Sequence, residues 1–167
     1  MTFPVREQRM PGTDRPAPTS RNLALKRLGR REYSGGELIA YLLRKGFPES
    51  EAQATVGELS REGLVDDLRY ARMMVRHQAL RGKGPRYILT HLRAKGVRME
   101  VKEIETILEE IGVPSGVEAA QAIVERRYPE AQTDRRTAER AYQALMRRGF
   151  SHDVAAQVVF SKKRGNA

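Results

Sequence analysis

The 167-residue sequence contains no cysteine and no tryptophan, and aromatics make up 6% of it. The missing thiols exclude a disulfide framework and any thiolate metal site. So few large rings leave a lean core, which suits small helical modules better than one large globule. No apolar run approaches the ~18 residues that a membrane span requires, so no membrane partner is expected. Residues 1–20 carry Arg6, Arg9 and Arg15, but also Pro4, Pro11, Pro16 and Pro18, and no apolar h-region. They do not read as a secretory signal, and a cytoplasmic location is the expectation. No stretch alternates apolar and polar residues for long, so essentially no strand is expected.

Catalytic constellations are missing too. Arg81-Gly82-Lys83-Gly84 is glycine-rich and basic, but no Ser or Thr follows a Gly-Lys pair at a helix start, as a phosphate loop requires. His77, His91 and His152 lie far apart without ligand spacing. Asp66-Asp67 could hold a divalent metal and serve a nuclease, yet the pair opens a helical pattern, where capping is the simpler role. The expectation is a protein that is not an enzyme and holds no metal or cofactor.

What the chain does contain is a motif in three copies. Leu42-Leu43-Arg44-Lys45-Gly46-Phe47 recurs as Leu92-Arg93-Ala94-Lys95-Gly96-Val97 and as Leu145-Met146-Arg147-Arg148-Gly149-Phe150. Each copy has the chemistry of a helix end. Leu belongs to the buried stripe, the cation complements the helix dipole, Gly takes the left-handed position, and the apolar residue packs back on the last turn. The glycines stand 50 residues apart (46 to 96) and then 53 (96 to 149). Near-constant spacing marks an array of one supersecondary unit, here longer than tetratricopeptide or ankyrin repeats.

The expected architecture is all-α: three tandem three-helix bundles in an elongated, curved array, each contacting mainly its neighbours. Residues 1–19 read as a disordered, proline-rich basic arm. Repeat 1 spans 20–65, repeat 2 spans 66–113, and repeat 3 spans 114–167 with a short basic tail. Ser34 with Glu37 has capping-box spacing, Asp66-Asp67 and Thr133 or Asp134 cap later helices, and Ser151 caps the last. Tyr70 and Tyr87 fit the buried stripes, as do Leu25, Val154 and Val158. Gly35-Gly36 stands where better helix formers are expected.

Net charge is +10, and arginine outnumbers lysine 24 to 7. Such a chain suits an acidic partner, and arginine can clamp a phosphate with two parallel hydrogen bonds. The candidate contact residues gather beside the repeat junctions: Arg69, Arg72, Arg76, Arg81, Lys83 and Arg86 in repeat 2, Arg93 and Lys95 at its turn, and Arg126, Arg127, Arg147 and Arg148 in repeat 3. No aromatic interleaving of the kind that stacks single-stranded bases is evident. Phosphate-driven, salt-sensitive contact is what these residues support.

These motifs resemble the RecX family of regulatory proteins, which bind and modulate the RecA recombinase. The resemblance is carried by Tyr33-Ser34 with Glu37-Leu38, Lys45-Gly46-Phe47, Gly63-Leu64-Val65-Asp66-Asp67 running into Arg69-Tyr70-Ala71, Lys83-Gly84 with Lys95-Gly96-Val97, and Arg148-Gly149-Phe150-Ser151. It covers about Arg21 to Lys162. It implies three tandem three-helix repeats, agreeing with the spacing. It also implies an elongated protein lodged in the groove of the RecA–DNA filament, where it blocks strand exchange, coprotease action and ATP turnover; the chain is expected to be a monomer. A helical DNA-binding regulator or architectural protein acting alone, on single- or double-stranded DNA, is the alternative.

Overall fold

The computed structural model describes residues 18–114 and 116–161. The proline-rich arm lies outside the described residues up to position 17, and so does the basic tail from Lys162 onward. Among the described residues there are nine α-helices and no strand. They are α1 (Ser20–Leu28), α2 (Gly35–Arg44), α3 (Glu49–Arg61), α4 (Asp67–Leu80), α5 (Pro85–Ala94), α6 (Val101–Glu110), α7 (Gly116–Arg127), α8 (Arg135–Arg147) and α9 (His152–Phe160). One element escaped the periodicity: a short 3-10 turn at Pro129–Gln132. Four residues carry no detectable period, and only the proline marks the spot.

Local chemistry sets most boundaries. The Thr19, Ser34, Asp66, Asp134 and Ser151 side chains each accept a backbone N–H from the first turn of α1, α2, α4, α8 and α9. Pro85 opens α5, where the missing N–H costs nothing. The three motif copies end α2, α5 and α8 in the same way. Gly46, Gly96 and Gly149 have φ of 91°, 78° and 86°. The N–H of Phe47, Val97 and Phe150 then donates back to the carbonyl of Leu42, Leu92 and Leu145. This closure satisfies a helix-end carbonyl and folds the apolar residue onto the last turn.

Each set of three helices seals its own core. The first is built around Leu38, Leu42, Val56 and Leu59, the second around Tyr70, Ile88, Leu92 and Ile104, and the third around Ile123, Ala141, Leu145 and Phe150. Four expected core positions differ. Leu25 is exposed, while Leu23 and Leu28 pack inward beside Ala24. Tyr87 is half-buried, with the Lys83 ammonium 4.0 Å from its ring centre and His91 stacked on it. In α9 the fully buried residues are Ala155 and Val159, with Val154 and Val158 packed at the margin. That helix lies against both α7 and α8, so its apolar stripe is broader than one row.

The repeats meet at two narrow junctions with one shared design. The turn ending the second helix of one repeat docks on the start of the second helix of the preceding repeat. At the first junction the Ser34 hydroxyl donates to the Lys95 carbonyl at 2.6 Å, and Asp67 accepts the Gly35 N–H at 2.8 Å. Asp67 therefore caps a helix of the neighbouring repeat, while Asp66 caps its own. The expected capping box at α2 is half made. Ser34 accepts the Glu37 N–H, but the Glu37 carboxylate turns away to Arg31 and Lys95. At the second junction two bonds run from backbone to backbone: Gly84 N–H donates to the Arg148 carbonyl at 2.7 Å and Arg86 N–H to the Gly149 carbonyl at 3.1 Å.

Candidate polyanion-binding groove

The twelve sequence-predicted cations separate into three kinds once folded. Four are held by the protein itself. Arg69 reaches across the first junction to Glu32 with bonds of 2.9 and 3.2 Å. Arg72 pairs with Glu110 at 2.8 Å. Lys95 pairs with Glu37 at 3.1 Å. Arg148 donates to the carbonyls of Arg81 and Gly82 across the second junction. Lys83 lies on the Tyr87 ring. Arg76, Arg81, Arg86, Arg93, Arg126, Arg127 and Arg147 are exposed, and none forms an ion pair among the described residues. No single surface is shown to gather all seven.

A contiguous basic surface does exist, and it lies largely on residues outside that set. One concavity across the first junction is lined by Arg27, Arg31, Arg44, Arg93 and Lys95, with Glu37 as its lone acid. It continues through Arg27 and Tyr41 into a second hollow bearing Lys26, Arg30 and Lys45. Arg93 and Gly96 also line a third hollow, where Arg98 stands beside Glu100 and Glu103. The groove thus runs over repeat 1 and the turn of repeat 2. Helical spacing places Lys26 and Arg27 in the last turn of α1, and Arg30 and Arg31 follow just beyond its end. What it could not show is that α5 delivers Arg93 to the same hollow, because the docking of the turn is tertiary.

Two tyrosines shape this groove without offering their faces. The Arg31 guanidinium lies 3.5 Å from the Tyr33 ring centre, and that of Arg27 lies 4.4 Å from the Tyr41 ring centre. Arg27 also donates to the Tyr33 hydroxyl, and its Nε is buried without a hydrogen-bond partner. Stacking fixes a planar guanidinium and leaves its in-plane N–H donors directed outward. With both rings covered by cations, the groove is suited to anionic oxygens rather than to stacked bases.

Charge pairing tunes the acids around it. Burial pushes the Glu37 carboxyl up, and hydrogen bonds from Arg31 and Lys95 outweigh this, holding it below the usual glutamate value. Burial also pushes the Tyr70 hydroxyl up to about 12, with Glu37 beside it adding to the effect. Outside the groove, the Arg69 N–H lowers Asp66. A depressed carboxyl contributes stability that is fully present above its ordinary value and lost as pH falls through the folded one. Melting temperature is therefore expected to fall on acidification through and below 3.8, the ordinary aspartate value for Asp66. An Asp66→Asn variant keeps a cap, should match the parent near neutrality, and should lose less in acid. Circular dichroism melts across pH check this, and an identical acid profile for the variant would remove Asp66 from the account.

No helix among the described residues is long and apolar enough to cross a membrane, and no group of three acidic or histidine side chains is placed to hold a metal.

Comparison with known proteins accounts for all three repeats. Family profiles for the first, second and third three-helix domains of RecX match residues 21–59, 66–101 and 116–159. The regulatory protein RecX of Halorhodospira halophila is 39% identical over 134 residues, covering 80% of this chain and 81% of that one. The Mycobacterium avium RecX is 32% identical over 158 residues, covering 91% and 90%. The crystal structure of RecX from Lactobacillus salivarius superposes with a TM-score of 0.68 at 23% identity, over 84% of this chain and 92% of that one, and speaks to the fold alone. With three matched domains in order and identity of this depth along the array, the chain belongs to the RecX family of regulatory proteins.

Proposed function

We propose that this chain is a monomeric, non-enzymatic regulator that binds the RecA–DNA filament and inhibits RecA's recombinase, ATPase and coprotease activities, and so modulates DNA repair and the SOS response in the cytoplasm. Family membership supports the regulatory role. The observation that carries the filament as target is the basic groove over the first junction, because a filament presents the polyanion that such a groove attracts. Salt-sensitive attraction to phosphate supplies affinity, and repeats joined end to end supply reach along a fibre. Of the seven exposed cations of repeats 2 and 3, Arg93 lies in the groove and the other six extend the positive surface beyond it.

The test is ATP hydrolysis by RecA on single-stranded DNA. Adding this protein below equimolar ratio to RecA is expected to lower turnover by half or more. Unchanged turnover at excess protein would count against the proposal. Tight duplex binding with sequence preference and no effect on RecA would favour a DNA-binding regulator acting alone.

A further inference from the structure

The central hollow of the groove contains one acid among its cations, and that acid occupies the place of a ligand. The Glu37 carboxylate receives Arg31 through two bonds of 3.2 and 3.3 Å and Lys95 at 3.1 Å. Only 12% of its side chain is exposed, so it is seated in the hollow rather than trailing from it. A carboxylate accepting from a guanidinium fork and an ammonium presents the same charge and geometry as a phosphodiester's two free oxygens. Its two partners come from different places: Glu37 lies in the first turn of α2, Arg31 precedes that helix, and Lys95 ends α5 in the next repeat.

We infer that Glu37 is an internal stand-in for a backbone phosphate: nucleic acid entering the groove takes Arg31 and Lys95 from it, so Glu37 sets the affinity and salt sensitivity of the site. This rests on the groove being the polyanion site proposed above. The exchange is one of ion pairs, with no bond made or broken. It has two consequences. First, the free protein keeps two of its groove cations engaged by one internal negative charge, which weakens binding to stray nucleic acid. Second, a ligand that captures Lys95 removes one of the ties between repeats 1 and 2, so occupation of the groove loosens that junction. The second junction shows no ion pair across it among the described residues and does not share this coupling.

Phosphate is favoured over an acidic peptide because the cations continue from the central hollow through Lys26, Arg30 and Lys45, as a regularly charged strand requires; at the other end Arg98 stands beside Glu100 and Glu103. The covered Tyr33 and Tyr41 rings also imply that the backbone is bound and the bases are not.

The test uses the full chain and fluorescence anisotropy of a labelled oligo(dT), titrated across a salt series. Glu37→Gln keeps the side chain's shape and removes its charge. It is expected to bind about 3- to 10-fold more tightly at moderate salt, with the slope of log affinity against log salt steeper by roughly 0.7–1.4, the value for one or two more single-strand phosphates engaged. Adding Arg31→Gln to Glu37→Gln should cancel most of the gain, which a merely loosened fold would not do. Equal or weaker binding by Glu37→Gln with an unchanged slope overturns the inference. A gain for polyglutamate with none for oligo(dT) overturns the phosphate assignment and gives the groove to an acidic protein segment. If Arg44→Glu and Arg93→Glu leave wild-type binding intact, the groove itself is the wrong site, and the fault lies with the earlier proposal.

Discussion

Alanine at Gly149 is expected to destabilise this protein severely, alanine at Gly96 strongly, and alanine at Gly46 only mildly. The three positions are equivalent in sequence and share a left-handed backbone, with φ between 78° and 91°. Forcing a Cβ into that region costs about 1–2 kcal/mol wherever it occurs. The remainder depends on what lies beside each turn. At Gly46 a Cβ would meet nothing within 4 Å. At Gly96 it would lie 2.9 Å from Gly36 Cα. At Gly149 it would collide with the Tyr87 backbone nitrogen and sit 2.5 Å from Tyr87 Cβ. These neighbours are backbone atoms or a Cβ fixed directly to the backbone, so they cannot swing aside. Overpacking of this kind adds about 1–3 kcal/mol, or else the junction opens to avoid it.

Gly46→Ala is therefore expected to lose about 1–2 kcal/mol, and Gly149→Ala about 2–5 kcal/mol. Denaturant unfolding followed by circular dichroism ranks the three. Hydrogen exchange adds the location: in Gly149→Ala the amides of Gly84 and Arg86 should lose protection, because they donate to the turn that is displaced. Equal losses at all three glycines would mean that the junctions contribute nothing to stability.

Reversing Arg44 and Arg93 to glutamate should reduce affinity for single-stranded DNA and for the RecA filament more than any other pair of surface changes. Both line the groove, both are exposed, and neither forms an ion pair among the described residues. Their loss leaves the fold intact, since no internal acid is orphaned. Removing two phosphate contacts lowers the salt slope by roughly 1.4 for a single strand. Near 0.1 M salt that amounts to a loss of tenfold or more in affinity. Arg76 and Arg86 are the comparison pair: exposed, on repeat 2, and outside the groove. Reversing them is expected to have a smaller effect. If both pairs cost the same, attraction is spread over the whole positive surface and the groove holds no privileged place. Arg72 is a poor test residue, because its reversal sets a new carboxylate against Glu110.

These two expectations mark how far the sequence could be read. The all-α class and the second helix of every repeat followed from one motif, since a helix end is a local event. The caps at Ser34, Asp66, Asp134 and Ser151 also involve residues within three positions of one another. By contrast, Gly35-Gly36 looked like a poor start to a helix. It is explained only by the neighbouring repeat: a Cβ on Gly36 would lie 2.6 Å from the Lys95 carbonyl, and the Gly35 N–H is needed by Asp67. The charge candidates divided for the same reason. Sequence shows that Arg69 and Arg148 are cationic. It does not show that Glu32 and the carbonyl of Gly82 are already waiting for them, 37 and 66 residues away.

The amino-acid order alone determined what short-range physics decides: helix periods, caps, left-handed stops, and an excess of positive charge. Tertiary structure decided which of three identical turns is buttressed, which cations remain free, and where they converge. Those outcomes hang on contacts between segments tens of residues apart, and no spacing along the chain records such distances.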